Sequence, residues 1–285
     1  MLHFVKYHGL GNDFILVDGL DTPAPDISPP VAVRLCDRHF GIGADGVILV
    51  LPSPDADCRM QLINSDGSEA EMCGNGLRCL ARFVWDEGLI RNTEIAVETL
   101  AGLKRARLRV EGECVTEIAV EMGKPLLLAR EAPTTLVAPD ERALDVPLEI
   151  NGATFRVTAL NTGVPHCVVF VPNADREAMD WRSIGSYIEH HAAFPRKTNV
   201  MFTQVISRDH LRVQPWERGA GLTLACGTGA CAAAVAAAIT GRAERAVSVT
   251  LPGGSLRVQW NAMNDEIVMV GPAKRVFAGQ VETGQ

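Results

Sequence analysis

Along most of the chain, apolar residues alternate with polar ones at the two-residue period of strands that bury one face. Residues 3–7, 14–18, 47–51, 59–64, 94–99 and 103–110 predict one series of strands. Residues 146–150, 154–160, 167–171, 200–206, 211–215, 247–251, 256–260 and 267–270 predict a second. Asn151-Gly152 lies between two alternating runs and predicts a tight hairpin, because a type I′ turn needs positive φ at both central positions. Pro252-Gly253-Gly254 marks another turn. Helical spacing is confined to about residues 29–38, 75–87, 181–191 and 228–240, the first opened by Ser28 as N-cap and Pro29. Residues 130–145, rich in proline, alanine and charge, read as a linker or loop.

Two of these helices open alike. Cys73-Gly74-Asn75-Gly76 starts one and Cys226-Gly227-Thr228-Gly229 the other. Gly88 and Gly241 follow their cysteines at the same spacing, each placed to stop its helix. The repeat has the spacing of domains and not of a solenoid. It predicts an α/β (α+β) fold of two pseudo-symmetric halves, each wrapping strands around one central helix. The halves are expected at 1–122, with the tail 272–285 returning to it, and at 123–271.

Composition narrows the function classes. Apolar residues make up 47% of the 285 and charged residues 21%, ordinary for a globular chain with a sizeable core. A net charge of -7 argues against nucleic acid or an acidic membrane as the main partner. The longest apolar run, about 230–239, is too short to cross a bilayer and, being alanine-rich, suits a buried helix. No basic segment followed by an apolar one opens the chain, so a cytoplasmic protein is expected. The eight cysteines lack the spacing of a disulfide framework or a zinc site, and no metal is expected. Cys36, Cys58, Cys79, Cys114, Cys167 and Cys231 read as small buried hydrophobes. Gly41-Ile42-Gly43-Ala44-Asp45-Gly46 has dinucleotide-loop spacing, but a helix precedes it and a strand follows, so it reads as a turn.

The repeated motif carries the chemistry. A helix N-terminus presents unpaired N–H groups and partial positive charge, and flanking glycines let a carboxylate approach the backbone. A cysteine at that position is a candidate base as thiolate and acid as thiol. Two of them, one on each face of an α-carbon, would invert that carbon by general acid–base catalysis without a cofactor. The blander alternative is two structural cysteines beside tight turns.

With these residues in view, the chain resembles the diaminopimelate epimerase family over essentially its whole length. The likeness rests on Gly9-Leu10-Gly11-Asn12-Asp13-Phe14, on Asp37-Arg38-His39 with the glycine turn after it, and on Asn64-Ser65-Asp66-Gly67. It continues through Met72-Cys73-Gly74-Asn75-Gly76, Pro165-His166, Asn199-Val200, Glu217-Arg218-Gly219 and Ala225-Cys226-Gly227-Thr228-Gly229-Ala230. The resemblance implies that each half is a mostly antiparallel strand barrel wrapped around its central helix, and it implies interconversion of LL- and meso-diaminopimelate, for lysine and cell-wall precursors, with no cofactor. It implies Cys73 and Cys226 as the acid–base pair, and backbone N–H groups of Gly74, Asn75, Gly227 and Thr228 on the reacting carboxylate. Asn12, Asn64, Asn199 and Arg218 would hold the distal end, and Glu217 with His166 would tune the thiols. It also implies a homodimer, with Phe277 at the contact. Val164 departs from the family's asparagine, for which Asn161 is a candidate replacement, and Gly46 departs from a common glutamine. The rival readings are a proline or hydroxyproline racemase-like enzyme and a non-catalytic carboxylate-binding or thiol-redox protein.

Overall fold

The computed structural model describes residues 1–21, 26–150, 152–175 and 177–282. Its residues fall into two compact units, Met1–Glu121 with Val270–Gln285, and Met122–Met269.

The first unit begins β1 (Leu2–Gly9), β2 (Asn12–Asp18), α1 (Pro29–Cys36), β3 (Gly46–Leu51), β4 (Cys58–Asn64) and β5 (Glu69–Ala70). Then come α2 (Gly74–Asp86), β6 (Glu94–Thr99), β7 (Gly102–Glu111) and β8 (Cys114–Gly123). β1 pairs antiparallel with β2, β2 runs parallel to β3, and β3 is antiparallel to β4. β4 takes β5 antiparallel and β6 parallel, and β6, β7 and β8 continue antiparallel. Every residue of β3 is buried, because α1 covers one face and α2 lies on the other. Leu77, Leu80, Phe83 and Val84 of α2 are buried among the strands; each such side chain contributes roughly 1.5–3 kcal/mol.

The second unit holds β9 (Val146–Ile150), β10 (Ala153–Asn161), β11 (Pro165–Phe170), α3 (Trp181–Glu189), β12 (Asn199–Ser207) and β13 (His210–Glu217). After these come β14 (Gly221–Leu222), α4 (Gly227–Ile239), β15 (Ala246–Leu251), β16 (Gly254–Trp260) and β17 (Ile267–Gly271). Its pairings repeat those of the first unit one by one. β10 is antiparallel to β11, β11 parallel to β12, and β12 antiparallel to β13. β13 takes β14 antiparallel and β15 parallel, and β15 turns back into β16. Helices α1 and α3 fill the first parallel crossover of each unit, and α2 and α4 the second. Strands β10, β11, β12, β13, β15 and β16 all pack on α4, so the sheet wraps around the helix. That is why α4 is apolar on every side, and ten of its residues are buried. The final strand, β18 (Lys274–Val281), belongs to the first unit and pairs antiparallel with β1.

Three readings from sequence are corrected or extended. Residues 130–145 are a folded loop of the second unit, not a linker: Ala132 and Ala143 sit in its core with Trp181 and Phe202. Cys114 is exposed, unlike the other cysteines read as buried hydrophobes. Strands β5, β8, β14 and β18 were not predicted by the pattern. The hairpin expected at Asn151-Gly152 joins β9 to β10, with Ile150 opposite Ala153 and Gly152 at φ +81°, while Asn151 lies outside the described residues.

Candidate active site

Each central helix begins with a cysteine as its N-cap. Cys73 lies at φ −140°, ψ 115° and Cys226 at φ −128°, ψ 109°. The extended backbone turns each sulfur back over the first turn, where Cys73 Sγ accepts from Gly76 N–H at 3.4 Å and Cys226 Sγ from Gly229 N–H at 3.3 Å. The remaining first-turn N–H groups have no acceptor inside the helix, which makes each end a carboxylate-sized polar site. Space explains the glycines. A Cβ on Gly229 would come within 2.3 Å of Met201 Sδ, and one on Gly76 within 3.1 Å of Ile48 Cδ1. Both helices span thirteen residues and stop at a glycine with positive φ, Gly88 at +76° and Gly241 at +73°.

In the first unit a hydrogen-bonded chain surrounds Cys73. The amide oxygen of Asn12 lies 3.8 Å from Cys73 Sγ and accepts from Asn75 Nδ2 at 3.1 Å. Asn12 Nδ2 donates to Asp45 Oδ2 at 2.7 Å. Asp45 is gripped by Arg38 at 2.9 Å, and Arg38 also forks onto Asp13. Burial works against the Asp13 carboxylate, but Arg38 and Lys6 overcome it and hold its pKa below the ordinary range. On the other side, fully buried Arg78 donates to Asn75 Oδ1 at 2.8 Å and to the carbonyls of Gly74 and Pro272. Asn64, at the end of β4 beside Gly46, donates to Ser68 Oγ at 3.0 Å.

Around Cys226 in the second unit the surroundings are drier. Cys167, Val169, Val200 and Phe202 face the α3 side, so alternation turns His166 and Asn199 toward α4. Cys226 is 4% exposed. Burial, and after it the Glu217 carboxylate, push its thiol well above the ordinary range, while Thr228 and the Gly229 N–H act the other way. Thr228 Oγ1 lies 3.5 Å from the sulfur, and the Thr228 carbonyl accepts from Thr162 Oγ1 at 2.8 Å. Glu217 accepts from Thr223, and Asn199 Oδ1 accepts from the Arg218 N–H at 2.8 Å. The exposed Arg218 guanidinium donates to the Arg196 carbonyl. His166 is fully buried and neither ring nitrogen has a partner among the described residues. Burial, with Arg218 adding to it, pushes its pKa down to about 3, so the ring is neutral.

The residues singled out from sequence thus divide between two clusters. Asn12, Cys73, Gly74 and Asn75 meet at the N-terminus of α2, and Asn64 stands at the end of β4 in the same unit; His166, Asn199, Glu217, Arg218, Cys226, Gly227 and Thr228 belong to the second unit and its α4. Asn161 stands at the β10–β11 turn, where its amide donates to the Glu131 carbonyl and accepts from Gly163 N–H. Sequence reasoning did not single out Arg38, Asp45 or Arg78. Asp45 was read only as part of a glycine-rich turn; Asn12 and Asp13 are more than thirty residues from it, and Arg38, though near in sequence, shares no helix or strand with it whose period would pair them. Among the described residues no group of three or more His, Cys, Asp or Glu could hold a metal ion, and no helix is long and apolar enough to cross a membrane.

The profile of the diaminopimelate epimerase family matches residues 4–128 and 158–276. The chain belongs to this family. A diaminopimelate epimerase from Nostoc sp. is 53% identical over 283 residues, covering 98% of this chain and 99% of the relative. The epimerase fold is shared more widely. A probable proline racemase from Agrobacterium radiobacter, solved with bound carbonate, superposes with a TM-score of 0.72 at 16% identity, covering 99% of this chain and 93% of that one. A phenazine biosynthesis protein from Bacillus anthracis does so at 0.70 and 17% identity, with 99% of each chain covered. At such identities the two structures speak for the fold alone.

Proposed function

We propose that the protein interconverts LL- and meso-diaminopimelate by moving one α-proton between two thiols. The observation that carries this reading is the repeated device of a cysteine N-cap at the start of a glycine-opened helix, found in a chain of the epimerase family. One cysteine, as thiolate, removes the α-proton from one face; the other, as thiol, delivers a proton to the opposite face. The carbanion charge spreads into the α-carboxylate, where the first-turn N–H groups of Gly74, Asn75, Gly227 and Thr228 stabilise it. Burial and Glu217 both favour the thiol of Cys226, which suits it as donor when Cys73 is the base, and the two cysteines exchange roles in the reverse direction. Asn12, Asn64, Asn199 and Arg218 take the distal amino and carboxylate groups, Arg218 through its planar fork. Neutral His166 and Glu217 tune the thiols, and Asn161 braces the β10–β11 turn. The enzyme needs no cofactor, works in the cytoplasm as a homodimer, and uses the half-exposed Phe277, stacked edge-on against Phe4 at 5.8 Å, at the contact.

Isotope exchange tests the reaction. Incubated in D2O without added cofactor, the protein should place deuterium at the α-carbon of LL-diaminopimelate and leave proline unlabelled. Labelled proline would favour the racemase reading, and no exchange with either would favour a binding or redox protein.

A further inference from the structure

The hydrogen-bonded chain beside Cys73 has two ends of opposite character. Arg78 can only donate, and Asp45 as a carboxylate can only accept. Between them stand two amides, each able to point either way. Because Arg78 donates to Asn75 Oδ1 at 2.8 Å, Asn75 must offer its NH2 group to Asn12, where the contact is 3.1 Å. Because Asp45 accepts from Asn12 Nδ2 at 2.7 Å, Asn12 must turn its oxygen away from Asp45, toward Asn75 and Cys73. Both ends demand the same arrangement, so the sulfur of Cys73 faces an amide oxygen.

We propose that Asp45, anchored by Arg38, is a positioning residue that holds the Asn12 amide with its oxygen toward Cys73. An oxygen there accepts from a thiol and has nothing to give a thiolate; an NH2 group in its place would do the reverse. Asp45 also receives the Asp13 N–H at 3.1 Å, and Arg38 bonds Asp13 as well, so the carboxylate is tied at both oxygens. Losing either tie lets the Asn12 amide swing about its Asn75 contact. The 3.8 Å contact to Cys73, already long, is then the first to go. The proposal deepens the epimerase reading by naming what sets the protonation preference of one reacting thiol.

Site-resolved alkylation by iodoacetamide at a fixed neutral pH tests this without turnover, since only the thiolate reacts. Asp45→Asn and Arg38→Met should each speed alkylation of Cys73 about fivefold, the worth of roughly one hydrogen bond. Asp45→Glu should retain the parent rate. The gain should persist in 1 M salt, where bare charges are screened within about 3 Å. If Asp45 acted only as a negative charge, Arg38→Met would slow the reaction, and that result would overturn the proposal. An unchanged rate in both variants would do the same. Arg38 is more than half exposed, so its variant remains a test should Asp45→Asn not fold. In α-proton exchange Asp45→Asn should lower kcat about fivefold with KM within about twofold. Exchange absent in the parent protein would strike the epimerase reading and leave the alkylation result standing.

Discussion

The two units share a backbone plan and differ in what surrounds the sulfur. Matching the pairings places Phe14, Gly46 and Asn64 of the first unit opposite His166, Asn199 and Glu217 of the second. Asn12 then corresponds to Val164. Around Cys73 the polar groups bond one another and tie into the charges of Arg38, Asp45 and Arg78. Around Cys226 a helix built largely of alanine, a neutral histidine without ring partners among the described residues, and the Glu217 carboxylate leave a thiol in a dry site. The same N-cap geometry therefore serves two electrostatic settings. Backbone device and thiol chemistry are separable: the repeat preserves the first and lets the second diverge.

Removing either sulfur is the strongest way to break the comparison. Cys73→Ala and Cys226→Ala should each lower epimerisation by about a thousandfold or more, measured as meso-diaminopimelate formed from the LL isomer, because each acts on a different face. Equal losses would show that the two settings converge on one role. Next in size is the glycine three residues after each cysteine. Gly229→Ala drives a Cβ into Met201 and should cost about 1–3 kcal/mol in urea unfolding, whereas Gly76→Ala, with looser neighbours, should stay within about 1 kcal/mol.

Acid should act unevenly too. His166 is held near 3 when folded, against an ordinary value of about 6.5, so the unfolded chain binds the proton that the folded one refuses. Its stabilisation is complete above about pH 6.5 and falls as pH drops toward 3. Between pH 7 and 5 it should account for about 2 kcal/mol of lost stability. His166→Phe, which copies the matching residue of the first unit, should lack that dependence. Smallest is Glu217→Gln: without the carboxylate that favours its thiol, Cys226 should be alkylated about threefold faster at neutral pH.

Much of this was legible in the pattern of the chain. Strands β6 and β9 have the predicted bounds, and the repeat of cysteine and glycines located both central helices. Strand β18 escaped because its residues are mostly exposed, so burial imposes no alternation on it. β5 and β14, two residues each, are too short to show a period. The candidate cysteines were readable because their surroundings repeat. The ties among Asp13, Arg38, Asp45 and Asn12 were not, since they depend on contacts between a strand end and a distant loop.

The pairing of Leu2 with Val281 sets an order on the molecule's birth. A ribosome delivers β1 before the second unit and its partner β18 after it. The first unit must wait with one strand edge bare until the whole second unit has been made, while the second has all its own strands in hand beforehand. Joining β18 directly to β1 and opening the chain elsewhere would remove that wait, and such a rearranged chain should reach its native state sooner after translation.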